Sequence, residues 1–321
     1  MEKDRINLTD SDRKKLKVIG RISLYVDYLI LVISILILLL GLYSVYDKYK
    51  VYELADSEEY AKYKPSSEDR LSYNKLRDMN PDVIGWIDVY GTKIDYPILQ
   101  NKDNDYYLDR TVKGDYSTAG SIFLDYRNKK DFSDFNSIIY GHHMDERKMF
   151  GDIDKFLEKD FFEKHAYAVL HRNDMKSLGI EFFSIIKTEG TDSRIFTAAL
   201  TDDLSKEVLI DYLNKNAVQK RHVELNKNDR IVLLSTCTFT ITNGRYILAG
   251  KLSDKVHKNM FPGVNEKNRN AKWIKKVTGF PLLIWLVLLL LILTFIYRLC
   301  KIKYQNEERR TQNFQKKKRI E

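Results

Sequence analysis

Cysteine is nearly absent from this chain: its 321 residues hold two, Cys237 and Cys300. That excludes a disulfide-stapled scaffold and a multi-cysteine zinc site. Five prolines and 14 glycines are too few for a collagen-like or low-complexity chain. There are six histidines, and no His/Cys/Asp set carries metal-ligand spacing. His142 and His143 are adjacent, and neighbours on an extended chain point to opposite faces, so they are not expected to share an ion. Neither a metal nor a cofactor is expected. Positive charge is also scarce where a nucleic-acid binder would need it. The net charge is +9, but residues 1–27 carry +2 of it and residues 298–321 carry +6, which leaves +1 for everything between. Basic tails suit anionic lipid rather than nucleic acid.

The chain does have two long apolar runs, residues 28–45 and 280–297, both free of charge. Each is long enough to cross a bilayer at about 1.5 Å per residue. The first is long for a signal peptide, and residues 41–46 offer no small-x-small cleavage site. The basic residues flank the runs on their terminal sides, so the positive-inside rule puts both tails in the cytoplasm and the middle outside. The expected division is a cytoplasmic tail 1–27, a span 28–46 and a stalk with a helix 47–79. An extracellular domain 80–252, a linker 253–276, a span 277–299 and a basic tail 300–321 follow. Cys237 is the sole cysteine of that outer domain. An unpaired thiol in an oxidising compartment points to use rather than packing.

The outer domain reads as short strands with few helices. Strands are expected at residues 85–90, 94–99, 120–125, 137–140, 166–171, 180–187, 231–234 and 246–249. Pro97 suggests an edge or a bulge. Helices are expected near residues 66–79, 149–163 and 201–214, the last capped by Thr201 or Asp202. Some eight strands in about 200 residues fit a closed β-barrel.

The chemistry concentrates at strand ends. Cys237 ends one strand, Arg245 opens the next, and Asn243-Gly244 between them is a turn dipeptide. The two residues admit a plain structural reading, a buried cysteine and a surface arginine. His142 ends another strand, which makes a Cys–His arrangement possible, with Arg245 as a fixed donor for a developing oxyanion.

Tyr140-Gly141-His142-His143-Met144, then Leu234-Ser235-Thr236-Cys237, then Arg245, resemble the motifs of sortases, membrane-anchored cysteine transpeptidases of Gram-positive bacteria. Gly85-Trp86-Ile87, Asp95-Tyr96-Pro97 and residues 120–127 resemble the class B branch. The resemblance covers residues 66–252. It implies a sortase-like β-barrel, here flanked by the two transmembrane helices expected from the apolar runs, with Cys237 as nucleophile, His142 as general acid/base and Arg245 steadying substrate and oxyanion. Ser235 and Thr236 would lie beside the nucleophile in the substrate site, and His143 would be structural. Partners would be surface proteins or pilins bearing a C-terminal sorting signal. The acceptor would be an amine of a lipid-linked peptidoglycan precursor or a pilin lysine. A second span is unusual for class B and commoner in pilus-building class C enzymes, but residues 47–80 carry no Asp-Pro-aromatic lid. Papain-like peptidases place cysteine before histidine, the reverse of this order. L,D-transpeptidases keep the two within a few residues, against 95 here. A two-span sensor with a ligand-binding barrel would need neither Cys237 nor Arg245.

Overall fold

The computed structural model describes residues 9–65, 70–174, 176–238 and 242–261, together with 294 and 298. Apart from those two residues, the second apolar run and the C-terminal tail, with Cys300, therefore lie outside the described residues.

The first helix, α1 (Asp10–Leu54), starts with a capping box. Asp12 N donates to the Thr9 hydroxyl, and the Asp12 carboxylate accepts from Thr9 N. Val18–Leu54 contains a stretch apolar enough to cross a membrane, none of whose residues is buried. At about 1.5 Å per residue the helix outruns a bilayer core, so it extends well past the expected span 28–46. Two short helices follow, α2 (Ser57–Tyr60) and α3 (Arg70–Met79). They wrap the domain, burying Tyr60, Tyr73 and Leu76 in its core.

The domain is a sheet of nine strands, of which eight close on themselves. In chain order these are β1 (Val83–Val89), β2 (Asp95–Leu99), β3 (Phe123–Leu124), β4 (Asn136–Tyr140), β5 (Tyr167–Arg172), β6 (Ser177–Glu189), β7 (Ala217–Lys220), β8 (Arg230–Thr238) and β9 (Gly244–Ser253). The spatial order is β5-β1-β2-β3-β4-β8-β9-β6, and β6 returns to β5 to close the ring. β2–β3 and β4–β8 are parallel and the other pairs antiparallel, so the barrel is mixed. β7, which hydrophobic patterning does not reveal, hangs on the outside of β6. A bulge between Phe182 and Ser184 bends β6 just where it leaves β5 for β7. Pro97 sits inside the ring, yet no ladder bond is forfeited, because β3 meets β2 only at Leu99.

Helix α4 (Lys159–Lys164) follows β4's long exit loop, and α5 (Ser193–Phe196) and α6 (Asp203–Lys215) lie between β6 and β7. The core has two layers. One fills the barrel and includes Val232 and Leu234 of β8. The other joins Ile231 and Leu233 to Ile195, Leu209 and Leu213 of α5 and α6. Alternation along the strand sends even residues inward and odd ones toward the helices.

The expected helix over 149–163 is instead two pieces: a 3-10 stretch at Ile153–Leu157 and α4, separated by Glu158 in extended backbone. The cause is tertiary. Buried Asp152 accepts from Lys93 N at 2.7 Å and pairs with Lys155 and Arg147. That fixes the chain before a continuous helix can form.

Candidate active site

Three neighbouring strands end at one level. β4 and β8 pair in parallel up to Tyr140 opposite Ser235, and Gly141 N donates to Ser235 O at 3.1 Å. Carried two residues further, that register sets His142 level with Cys237. On the other side, Cys237 lies directly opposite Arg245 across β8–β9. Adjacent strands are about 4.8 Å apart. Cys237 shares the helix-facing parity of Ile231 and Leu233, and Arg245 that of Ile247 and Ala249. His142 continues the parity of Ile138. Histidine, cysteine and arginine thus form a row on the α5–α6 side, and all three are half-buried.

Of the two expected substrate residues, Ser235 shares this face and Thr236 does not. Thr236 takes the parity of Val232 and Leu234, toward the barrel interior. Both hydroxyls are buried and lack a hydrogen-bond partner.

His142 is held by groups that periodicity cannot reveal. Its Nε2 lies 2.8 Å from Leu108 O. A carbonyl only accepts, so Nε2 carries the proton, and in the neutral ring Nδ1 keeps the lone pair. Leu108 reaches that position because Gly120, at φ 58°, has no side chain; an added Cβ would come within 2.5 Å of Leu108 O. Gly141 likewise lets β4 leave the barrel between Ile122 and Phe150, where a Cβ would meet them at 2.4 and 2.7 Å. His143 instead faces Asp154, with Nε2 at 3.3 Å from its carboxylate.

One residue before Gly141, Tyr140 stacks on Phe196 and donates to Asp125 at 2.9 Å. Burial pushes the Asp125 carboxyl up. Bonds from Arg127, Asn104 and Tyr140 more than reverse that and hold it below the usual carboxylate range. Arg127 in turn donates to Phe196 O at 2.9 Å, and Asn136 Nδ2 to Thr197 O at 2.8 Å. The segment carrying α5 is thereby pinned beside the row. Among the described residues no cluster of His, Cys, Asp and Glu could hold a metal ion.

The Sortase domain model matches residues 87–253, half of the chain. Sortase B of Listeria monocytogenes is 37% identical over 192 residues, which is 59% of this chain and 77% of that protein. The chain belongs to the sortase family. Its barrel is similar to a Streptococcus pyogenes class B sortase involved in pilus biogenesis, with a TM-score of 0.53 at 37% identity. That match covers 57% of this chain and 98% of the other. Sortase B from the type II pilus of Streptococcus pneumoniae matches at 41% identity and a TM-score of 0.50, over 56% and 98% of the two chains. This sortase is class B-like, and the closed barrel of about eight strands expected from its strand spacing is the family's fold.

Sequence reasoning named the members of the row but not the Leu108 carbonyl or the Asp125–Arg127 pair. Leu108 lies in the loop 100–122, which has no hydrophobic period to read. Asp125 and Arg127 stand in the motif quoted above, yet nothing local says what they grip.

Proposed function

We propose that this sortase is a cysteine transpeptidase working on proteins with a C-terminal sorting signal at the outer membrane surface. The Cys237 thiol passes its proton to Nδ1 of His142, and the thiolate attacks the carbonyl of the Thr–Gly bond while the Arg245 guanidinium stabilises the oxyanion. The C–N bond breaks as His142 gives that Nδ1 proton to the leaving amine, and a thioester remains on Cys237. A primary amine then attacks the thioester and returns a proton to His142, and the thiolate leaves as the new amide forms. The observation that carries this reading is the Cys237–Arg245 cross-strand pair, with His142 two residues past the end of the adjoining strand. The acceptor is an amine of a lipid-linked cell-wall precursor. An anchor helix that leads straight into the barrel favours membrane-bound partners by raising their effective concentration.

A second reading makes the acceptor a pilin lysine. It is favoured by the two pilus-associated class B sortases at 37% and 41% identity. One experiment tests the function and separates the acceptors. The enzyme is incubated with a panel of sorting-motif peptides, each with a wall-stem amine or a lysine peptide, and the products are identified by mass. An amide to the stem amine is expected. An amide to lysine alone selects the second reading, and no amide with either acceptor refutes the function.

A further inference from the structure

The loop leaving β4 after His142 adopts a costly conformation. Glu146, Arg147 and Met149 all have left-handed φ, at 57°, 64° and 52°, and none is glycine. Such residues are strained, and persist only where surroundings over-determine them. Part of that determination is local. Phe150 N donates to His142 O at 3.0 Å, and Gly151 N to Lys148 O at 2.9 Å. Lys93 Nζ also donates to Glu146 O at 3.1 Å and Arg147 to Asp152 at 3.3 Å. Further bonds come from the end of the membrane helix α1 and the residues just after it.

Three bridges join the two segments. Lys148 Nζ donates to Tyr52 O at 2.6 Å and to Asp56 Oδ2 at 2.8 Å, with its side chain 11% exposed. Tyr96 OH donates to Ala55 O at 2.9 Å and accepts from Met149 N at 3.0 Å. Tyr52 OH donates to the Asp145 carboxylate at 3.3 Å. Tyr52 O belongs to the last turn of α1, where a cation is favoured.

We propose that Lys148 and Asp56 are positioning residues that let the membrane anchor hold the His142 loop. The clamp fixes the strained turn. The turn fixes the His142–Phe150 base, and the base fixes the imidazole against Leu108 O and beside Cys237. This inference rests on the reading of His142 as the acid/base partner of Cys237. Asp56 permits a clean variant: its Oδ1 caps α2 by accepting from Glu58 N at 3.1 Å, and asparagine preserves such a cap while removing the charge.

The test uses the full chain in lipid nanodiscs, comparing wild type with Lys148→Met, Asp56→Asn and Lys148→Arg. Turnover of a sorting-signal peptide gives kcat and KM. The pH profile of Cys237 alkylation by iodoacetamide reports the cysteine–histidine geometry without needing the sorting reaction. Active-site titration corrects for unfolded enzyme. Lys148→Met and Asp56→Asn are expected to lower kcat on the order of 10- to 100-fold with KM nearly unchanged. They are also expected to shift the alkylation profile, and Lys148→Arg to restore most of both. An unchanged profile and kcat per active site in Lys148→Met would overturn the clamp. Wild type that shows a two-group alkylation profile but cleaves no peptide would instead count against the proposed reaction and leave the clamp to be judged on alkylation alone.

Discussion

Lys64 pairs with two carboxylates at once, at 2.6 Å from Asp88 and 2.9 Å from Asp95, whose other oxygen accepts from Trp86 Nε1 at 2.7 Å. The two acids share this one cation. Burial, and then Asp95, push the Asp88 carboxyl up to about 6 against the pull of Lys64. The ordinary aspartate value is about 3.9. Between those pH values the folded chain binds more protons than the unfolded one, so this group lowers stability as pH rises from about 4 to 6. Nearby His171 opposes it. Burial and Lys64 push its pKa down, which removes stability as pH falls below the ordinary histidine range. The difference between wild type and Asp88→Asn isolates the aspartate. Chemical denaturation at pH 4, 5, 6 and 7 should show Asp88→Asn gaining on wild type as pH rises through this window. A constant difference would refute the shared-charge account. At Arg245 the prediction concerns rate. Lysine keeps the charge but not the rigid planar donors. Peptide turnover by Arg245→Lys should fall on the order of 10²–10³-fold, and near-wild-type turnover by Arg245→Ala would make the residue structural.

Between residue and fold, α5 and α6 matter most to the candidate site, because they cover the sheet face on which the row stands. Leu213 of α6 is fully buried against that face. Leu213→Ala should cost about 2–5 kcal/mol of folding stability, measured by urea unfolding; a loss under about 1 kcal/mol would mean the layer is loosely packed. The elements that were legible in the sequence are those with clean patterns. Residues 231–234 read as a strand buried on both faces, and both core layers do contain them. The helix expected at 201–214 is α6, capped by Asp202, which accepts from Ser205 N at 2.8 Å. What was not legible depends on distant partners. β7 alternates weakly and exists because β6 bulges outward to receive it. The strand expected at 120–125 shrinks to Phe123–Leu124, since Gly120 and Ser121 bond to loop carbonyls instead. At the site, Cys237, His142 and Arg245 stand out by residue type, but their common face follows from a parallel β4–β8 pairing that bridges 95 residues.

At the scale of the whole molecule, a long exposed apolar helix runs directly into a nearly neutral domain. The account expects that domain outside the membrane and both tails inside. Protease added to wall-stripped cells should digest residues 47–276 and spare the termini, as read by antibodies to each tail; cleavage within residues 301–321 from outside would reverse the orientation. The central claim is that Cys237 carries the substrate as a thioester, and intact-protein mass spectrometry tests it most directly. Full-length enzyme mixed with a sorting-signal peptide, in the absence of any amine acceptor, is acid-quenched and weighed. The account predicts an adduct equal in mass to the acyl fragment, mapping to Cys237 and lost on adding hydroxylamine, with no adduct and no cleavage in Cys237→Ala. Cleavage of the peptide by the Cys237→Ala enzyme would contradict it.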